Sequence, residues 1–297
     1  MTVVPIPADG PQGRGNIMRY GTKALVALVV VLLAIPAAAL AETEAPGAPV
    51  QLELGDSWTY GDGASDPRST GYAAIVHARN RTTLDCVPGT SAEVEHCRNL
   101  RRVTLARPGT AENPGVTTQR LIDEQLESAV RLASDRNGDA NPANDVEVVV
   151  VTVGGNDLSR PVLEACLGGL DANCLGVIVS GTARVEANLD EILGQVRAAT
   201  GPGTTIVIGT YDNAIAHCPL GQTPGAAALG ALVLEGHPGL GIEGLNDVIR
   251  RVAAEHDVRV AELFGRLGPD QWVGDCLHPN DAGYAEIADV FSDAIDR

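Results

Sequence analysis

The chain has 297 residues, of which 44% are hydrophobic and 20% charged, a balance typical of globular protein rather than of disordered or fibrous chain. Its formal net charge at pH 7 is −17, and Lys23 is its only lysine. Binding to nucleic-acid phosphates needs clustered basic side chains, so this composition argues against a nucleic-acid partner. An aromatic content of 3% also argues against a stacking platform for sugars or bases.

The N-terminal segment has the residue order of a secretory leader. Arg19 and Lys23 precede an uncharged apolar run over 24–41 that closes on small side chains. This order predicts an N-terminal extension with a signal peptide over residues 1–41, cleaved before Glu42. A retained membrane anchor is the alternative, because about 18 apolar residues are at the short end of what spans a bilayer. We expect a secreted, extracellular protein with a single domain over 42–297, which contacts a membrane only through an uncleaved leader.

The cysteines of an exported chain are expected to form disulfides. The sequence has six of them, an even number, and none of their spacings indicates a zinc site. Sequence alone leaves many pairings open. Pairing nearest neighbours predicts Cys86 with Cys97, Cys166 with Cys174, and Cys218 with Cys276.

Short apolar runs alternate with longer helical stretches from residue 50 onward. A nearly continuous apolar run is typical of a buried parallel strand. The predicted strands are Val50–Leu54, Arg102–Ala106, Val146–Val153, Thr205–Ile208 and Val258–Leu263. The predicted helices are Tyr72–Arg79, Thr117–Ala133, Val185–Ala199, Gly244–His256 and Asp281–Ile295. The alternation predicts an α/β sandwich with a parallel sheet, whose ligand site lies at the carboxyl ends of the strands.

Polar motifs stand at two predicted strand ends and before the last helix. The first strand runs into Gly55-Asp56-Ser57, and the third runs into Gly154-Gly155-Asn156-Asp157. Asp275 precedes His278 by three residues, a spacing at which the carboxylate can hold the imidazole Nδ1–H. Each motif alone is more often an ordinary turn or helix cap. Their joint occurrence, in the order Ser, Asn, Asp, His, favours a catalytic serine site.

With these motifs the sequence resembles the GDSL, or SGNH, hydrolase family. The resemblance implies a flavodoxin-like three-layer α/β/α sandwich with a five-stranded parallel sheet. It implies Ser57 as nucleophile, His278 as general base, and Asp275 as the group that orients the histidine. It also implies an oxyanion hole made by the backbone N–H groups of Ser57 and Gly109 and by the side-chain amide of Asn156. The cysteine layout is similar to that of secreted actinobacterial lipases and esterases with three sequential disulfides.

These residues predict a secreted serine hydrolase that cleaves carboxylic esters, small-molecule or lipid, through an acyl-enzyme on Ser57. An esterase acting on an acetylated polysaccharide and a non-catalytic exported binding domain are the alternatives. Tyr211 and Asn213 follow the fourth strand and are expected to line the substrate pocket. We expect a monomer with no cofactor and no metal.

The segment 135–141 begins like a calcium loop. It lacks the glycine and the terminal glutamate of such a loop, and is therefore interpreted as a polar connection.

Overall fold

The computed structural model describes residues 47–82, 100–109 and 115–297. Its centre is a sheet of five parallel strands in the order β2-β1-β3-β4-β5. The strands are β1 Val50–Gly55, β2 Arg101–Thr104, β3 Val146–Thr152, β4 Thr205–Gly209 and β5 Arg259–Ala261. This is the strand order of flavodoxin-like folds, so the predicted fold class is confirmed.

Helices cover both faces of this sheet. Those in the described residues are α1 Ser57–Tyr60, α2 Tyr72–Thr82, α3 Thr118–Leu121, α4 Glu127–Asn137, α5 Gly155–Cys166, α6 Ala172–Thr200, α7 Ala226–Glu235, α8 Leu245–Glu255 and α9 Asp281–Asp296. On one face α2 packs against α9, with the Tyr72 ring stacked on Phe291 at a centroid distance of 4.4 Å. On the other face α6 packs against α4, α5 and α8. β1 and β3 are buried from both sides, which explains the nearly continuous apolar run of β3. β1 also buries the polar side chains of Gln51 and Glu53.

The predicted helix over 117–133 is interrupted by a π-helical turn. This turn, Ile122–Leu126, joins α3 to α4 and contains the buried Gln125. The Gln125 amide makes two hydrogen bonds to the backbone of Gly55, accepting from its N–H at 2.8 Å and donating to its carbonyl at 2.9 Å. The turn therefore fastens the helix to the end of β1.

Three helices, α1, α5 and α7, were not predicted from the sequence. α1 is a single turn, and α5 begins on a glycine and contains Pro161, both of which obscure a periodic pattern. α7 has the sequence AAALGALVLE, which is apolar on almost every side and has no polar face. Periodicity cannot reveal such a helix.

Two of the three expected disulfides lie in the described residues, Cys166–Cys174 and Cys218–Cys276. The expected Cys86–Cys97 pair and the N-terminal leader lie outside them. Within the described ranges, no helix is both long and apolar enough to cross a membrane.

The 135–141 segment ends α4 and continues as a loop. The Asp139 carboxylate accepts hydrogen bonds from the Asn141 N–H at 2.6 Å and the Asn144 side chain at 3.0 Å. Residues 47–82, 100–109 and 115–297 contain no group of three or more side chains arranged to hold a metal ion.

Candidate active site

Ser57 stands where β1 turns into α1. Gly55 adopts a φ of +124°, and a side chain there would approach the Thr152 carbonyl oxygen of β3 to 2.1 Å, so only glycine fits. Asp56 caps α1 by accepting the Trp58 N–H at 3.0 Å. Ser57 is therefore the first residue of a helix that starts at the carboxyl end of the sheet.

The structure brings together Ser57, Asp275 and His278, as the sequence predicted. His278 Nε2 lies 2.9 Å from Ser57 Oγ, and His278 Nδ1 lies 2.6 Å from Asp275 Oδ2. The other carboxylate oxygen of Asp275 accepts the backbone N–H groups of Leu277 and His278, each at 2.9 Å. These bonds fold the segment 275–278 into a turn that presents the imidazole to the serine.

The environment of Asp275 keeps its carboxylate ionised. Partial burial alone would raise its pKa, but hydrogen bonds from the His278 ring and from two backbone N–H groups outweigh burial and hold the pKa below its usual value. An ionised carboxylate favours the tautomer in which the histidine proton sits on Nδ1, which leaves Nε2 free to accept a proton.

Two contacts fix the 275–278 turn to the rest of the protein. The Trp58 indole N–H donates to the Leu277 carbonyl at 3.0 Å. The Cys218–Cys276 disulfide joins the turn to the loop that follows β4, across a sequence separation of 58. Cys276 itself has a φ of +63°, an uncommon conformation for a residue with a side chain. A disulfide at Cys276, two residues before His278, therefore helps to fix the position of the histidine.

Asp56 is a buried carboxyl directly before the serine. It accepts hydrogen bonds from the Tyr211 hydroxyl, from Thr152 Oγ1 at 2.8 Å and from the Trp58 N–H. Burial raises the pKa of Asp56 to about 6, and these hydrogen bonds offset only part of that effect. Sequence reasoning treated Asp56 as part of a turn, and its role as the centre of this network appears only in three dimensions.

Asn156 lies in the first turn of α5, beside the serine in the same cavity. One of its amide hydrogens is donated to the Val116 carbonyl at 3.1 Å, so a second donor remains. Gly109 also borders the cavity, but its N–H donates to the Asp62 carboxylate at 2.9 Å. Gly115 packs against Asn156 so closely that an added Cβ would lie 2.5 Å from the amide nitrogen.

Tyr211 and Asn213 both line this cavity, as expected, but their polar groups are bonded within the protein. The Tyr211 hydroxyl donates to Asp56, and the Asn213 amide donates to the Ala227 carbonyl of α7 at 2.9 Å. Their assignment as substrate-binding residues stays a prediction, and their observed contacts are structural.

The sequence model of the GDSL-like lipase/acylhydrolase family matches residues 54–286. The chain belongs to this family. That stretch includes Ser57, Asn156, Asp275 and His278, and membership identifies a hydrolase of the esterase and lipase class. No curated protein sequence matches this chain.

Solved structures with the same fold include two lipases and an esterase. An extracellular lipase from Streptomyces rimosus matches with a TM-score of 0.56 and 19% identity, over 83% of this chain and 100% of that one. A lipase from a goat rumen metagenome matches with a TM-score of 0.58 and 15% identity, over 83% of this chain and 97% of that one. An acetylxylan esterase from Geobacillus stearothermophilus matches with a TM-score of 0.52 and 16% identity, over 84% of this chain and 94% of that one. At these identities the likeness concerns the fold.

Proposed function

We propose that this protein hydrolyses carboxylic esters through an acyl-enzyme intermediate on Ser57. The observation that carries the proposal is the unbroken hydrogen-bonded series from Asp275 through His278 to Ser57, with distances of 2.6 and 2.9 Å. A serine hydroxyl is a weak nucleophile until a base takes its proton, and this series supplies the base and its orienting partner.

The geometry supports a two-step reaction. Ser57 Oγ attacks the ester carbonyl carbon while His278 Nε2 takes the hydroxyl proton. The same nitrogen then gives this proton to the alcohol oxygen as the carbon–oxygen bond breaks, which leaves the acyl group on Ser57. A water molecule attacks the acyl carbon next, with Nε2 as the base again, and the acid is released.

We assign the oxyanion hole to the backbone N–H of Ser57, the Asn156 amide and the backbone N–H of Gly115. The backbone N–H groups of Ser57 and Gly115 have no acceptor within the described part of the chain. The expected third donor, Gly109, already donates to Asp62, which supports Gly115 in its place. Donors fixed before the reaction stabilise the developing negative charge because they need no reorganisation.

We also propose that the protein acts outside the cell. The leader-like segment over 1–41 supports this, as do the two disulfides, because disulfides persist in oxidising compartments. N-terminal sequencing of the secreted product should give Glu42 as the first residue. A product that stays in the membrane fraction with residues 24–41 attached would contradict cleavage.

Hydrolysis of p-nitrophenyl butyrate tests the proposed chemistry. Ser57→Ala and His278→Ala should each lower kcat by roughly 10⁴–10⁶, and the double variant should be scarcely worse, because neither group works without the other. Ser180→Ala is the matched control, since this exposed serine on α6 bonds only to the Val177 carbonyl of its own helix. If Ser57→Ala keeps more than a few per cent of the wild-type kcat, the covalent mechanism is wrong.

A further inference from the structure

A cavity of about 490 Å³ borders Ser57 and His278 and extends between α5 and α7. Its walls beyond the catalytic residues are largely aliphatic. The principal side chains are Leu158, Val162 and Leu163 from α5, and Leu229, Val233 and Leu234 from α7. An acetyl group would leave most of this apolar space to water, whereas a longer hydrocarbon chain would fill it.

Several polar residues along the cavity are bonded to other groups of the protein. The Asp212 carboxylate accepts the backbone N–H of Gly265 at 2.9 Å and of Leu267 at 2.7 Å. Asn213 donates to Ala227, and the exposed Arg160 pairs with Glu164 at 2.7 Å. A sugar in this space would find few free polar partners, and its hydroxyl groups would be desolvated without compensation. The cavity therefore favours a hydrocarbon chain over a carbohydrate.

The direction of the cavity indicates which part of the ester occupies it. The alcohol oxygen must lie at His278 Nε2, because that nitrogen protonates it. The carbonyl oxygen must lie at Asn156, at the start of α5. The acyl chain is then the part of the substrate that extends along α5, past Leu158 toward Leu163.

The length of that path limits the chain. Asn156 and Leu163 both line the cavity, and a helical rise of about 1.5 Å per residue puts them about 10 Å apart along α5. An extended chain advances about 3.5 Å per three bonds, so this path takes about nine bonds. The volume agrees, since 490 Å³ at about 30 Å³ per water-sized group leaves room for about sixteen groups, acyl chain and alcohol together.

We propose that the substrate class is esters of linear aliphatic acids of about eight to ten carbons, with the acyl chain held between α5 and α7. This inference rests on the proposed function, because it places the acyl chain relative to Ser57 and His278. Leu163 is 45% exposed and forms the far wall, so longer chains extend past it into solvent and gain little further.

The first test is a series of p-nitrophenyl esters from acetate to dodecanoate, each below the concentration at which it aggregates. Burial of each methylene raises kcat/KM by up to about fourfold, so octanoate should exceed acetate by at least about tenfold. The series should level off or fall beyond decanoate. Activity that is highest with acetate and declines with each added carbon would overturn the inference while leaving the ester hydrolase proposal intact.

Substitutions in the α5 wall of the cavity test whether the acyl chain of the substrate lies there. Leu163→Trp and Val162→Phe should each lower the ratio of kcat/KM for decanoate to that for acetate by at least about tenfold. Leu167→Trp is the matched control, because Leu167 lies one helical turn further on, is 81% exposed and does not line the cavity. A ratio that is unchanged in both wall variants, or lowered equally in the control, would overturn the inference.

A binding measurement separates this inference from the proposed chemistry. Calorimetry with the Ser57→Ala protein should show at least about tenfold tighter binding of decanoate than of butyrate, and Leu163→Trp in the same background should remove the difference. Selective decanoate binding by this variant, together with no ester hydrolysis by the wild-type protein, would contradict the proposed function and support the assignment of the cavity. Equal binding of the two acids would contradict the cavity assignment.

Discussion

At the scale of single residues, the proposed catalysis depends on donors placed before the substrate arrives. Asn156 supplies a side-chain amide from the first turn of α5, held by its bond to the Val116 carbonyl. Asn156→Ala should lower kcat by about 10²–10³ and change KM much less, because the lost hydrogen bond is strongest in the transition state. Steady-state kinetics on a butyrate ester measure this. Gln195→Ala, which removes an exposed amide on α6, serves as control, and a loss confined to KM would contradict the oxyanion role.

The close packing of Gly115 against the oxyanion-hole residue Asn156 has its own test. A side chain at Gly115 would press on the Asn156 amide, whereas at Gly109 its nearest neighbour would be 3.6 Å away. Gly115→Ala should therefore lower kcat by at least about tenfold, and Gly109→Ala should cost clearly less. Kinetics of the two purified variants decide this, with circular dichroism to verify folding. The reverse order would contradict the close packing of Gly115 against Asn156.

The buried carboxyl of Asp56 makes the stability of the fold depend on pH. The pKa of Asp56 is about 6 in the folded chain, whereas an unperturbed aspartate has a pKa of 3.8. A raised pKa stabilises the fold below pH 3.8, and this stabilisation is lost as the pH rises through 6. About two pKa units correspond to about 3 kcal/mol. Asp56→Asn keeps the shape and does not titrate, so the free energy of unfolding of wild type minus variant should fall by about that amount from pH 4 to pH 8.

Urea denaturation at several pH values measures this difference. The control is Asp66→Asn, because hydrogen bonds from Ser69 and from the Arg68 N–H lower the pKa of Asp66 and its pH dependence has the opposite sign. Parallel stability curves for wild type and Asp56→Asn would contradict the assigned pKa.

At the scale of secondary-structure elements, the turn that carries Asp275 and His278 is held from outside by a disulfide. Replacing Cys218 and Cys276 together with serine should lower the free energy of unfolding by up to about 4 kcal/mol, the loop-entropy value for a separation of 58 residues. It should also lower kcat more than it changes KM, because the histidine loses its fixed position.

The Cys166–Cys174 pair provides the matched comparison. It closes a loop with a sequence separation of only 8 and lies outside the 275–278 turn. Replacing both of these cysteines should cost less stability and leave kcat on a butyrate ester near the wild-type value. Thermal unfolding and kinetics on both double variants decide the matter. Equal losses of kcat would show that the Cys218–Cys276 tether has no particular role in catalysis.

The same scale shows where sequence analysis reached its limit. The strands were predicted to within a few residues, because buried parallel strands produce long apolar runs such as β3. α7 gave no signal, since a helix apolar on nearly all sides has no periodic polar face. That omission concealed one wall of the cavity, and with it the basis for inferring the acyl chain. The π-helical turn around Gln125 was not predicted either, because its stabilising contact is with Gly55, which is distant in sequence.

At the scale of the whole molecule, the candidate triad was predictable because of a topological rule. Parallel strands end at the same edge of the sheet, so polar residues after β1 and before α9 meet there although they are about 220 positions apart in sequence. The rule does not show which backbone N–H groups near the site already donate hydrogen bonds within the protein. The N–H of Gly109 is an example, since its partner Asp62 is identified only by the folded chain.

The central claim is that Ser57 becomes covalently acylated, and one labelling measurement tests it most directly. A p-nitrophenyl alkylphosphonate mimics the ester, and attack by Ser57 Oγ on phosphorus displaces p-nitrophenolate and leaves a stable adduct. Mass spectrometry of the inactivated protein should show one phosphonyl group per chain, mapped to Ser57, with its formation matching the loss of esterase activity. Complete inactivation with the adduct on another residue, or continued hydrolysis after Ser57 is fully labelled, would contradict the account.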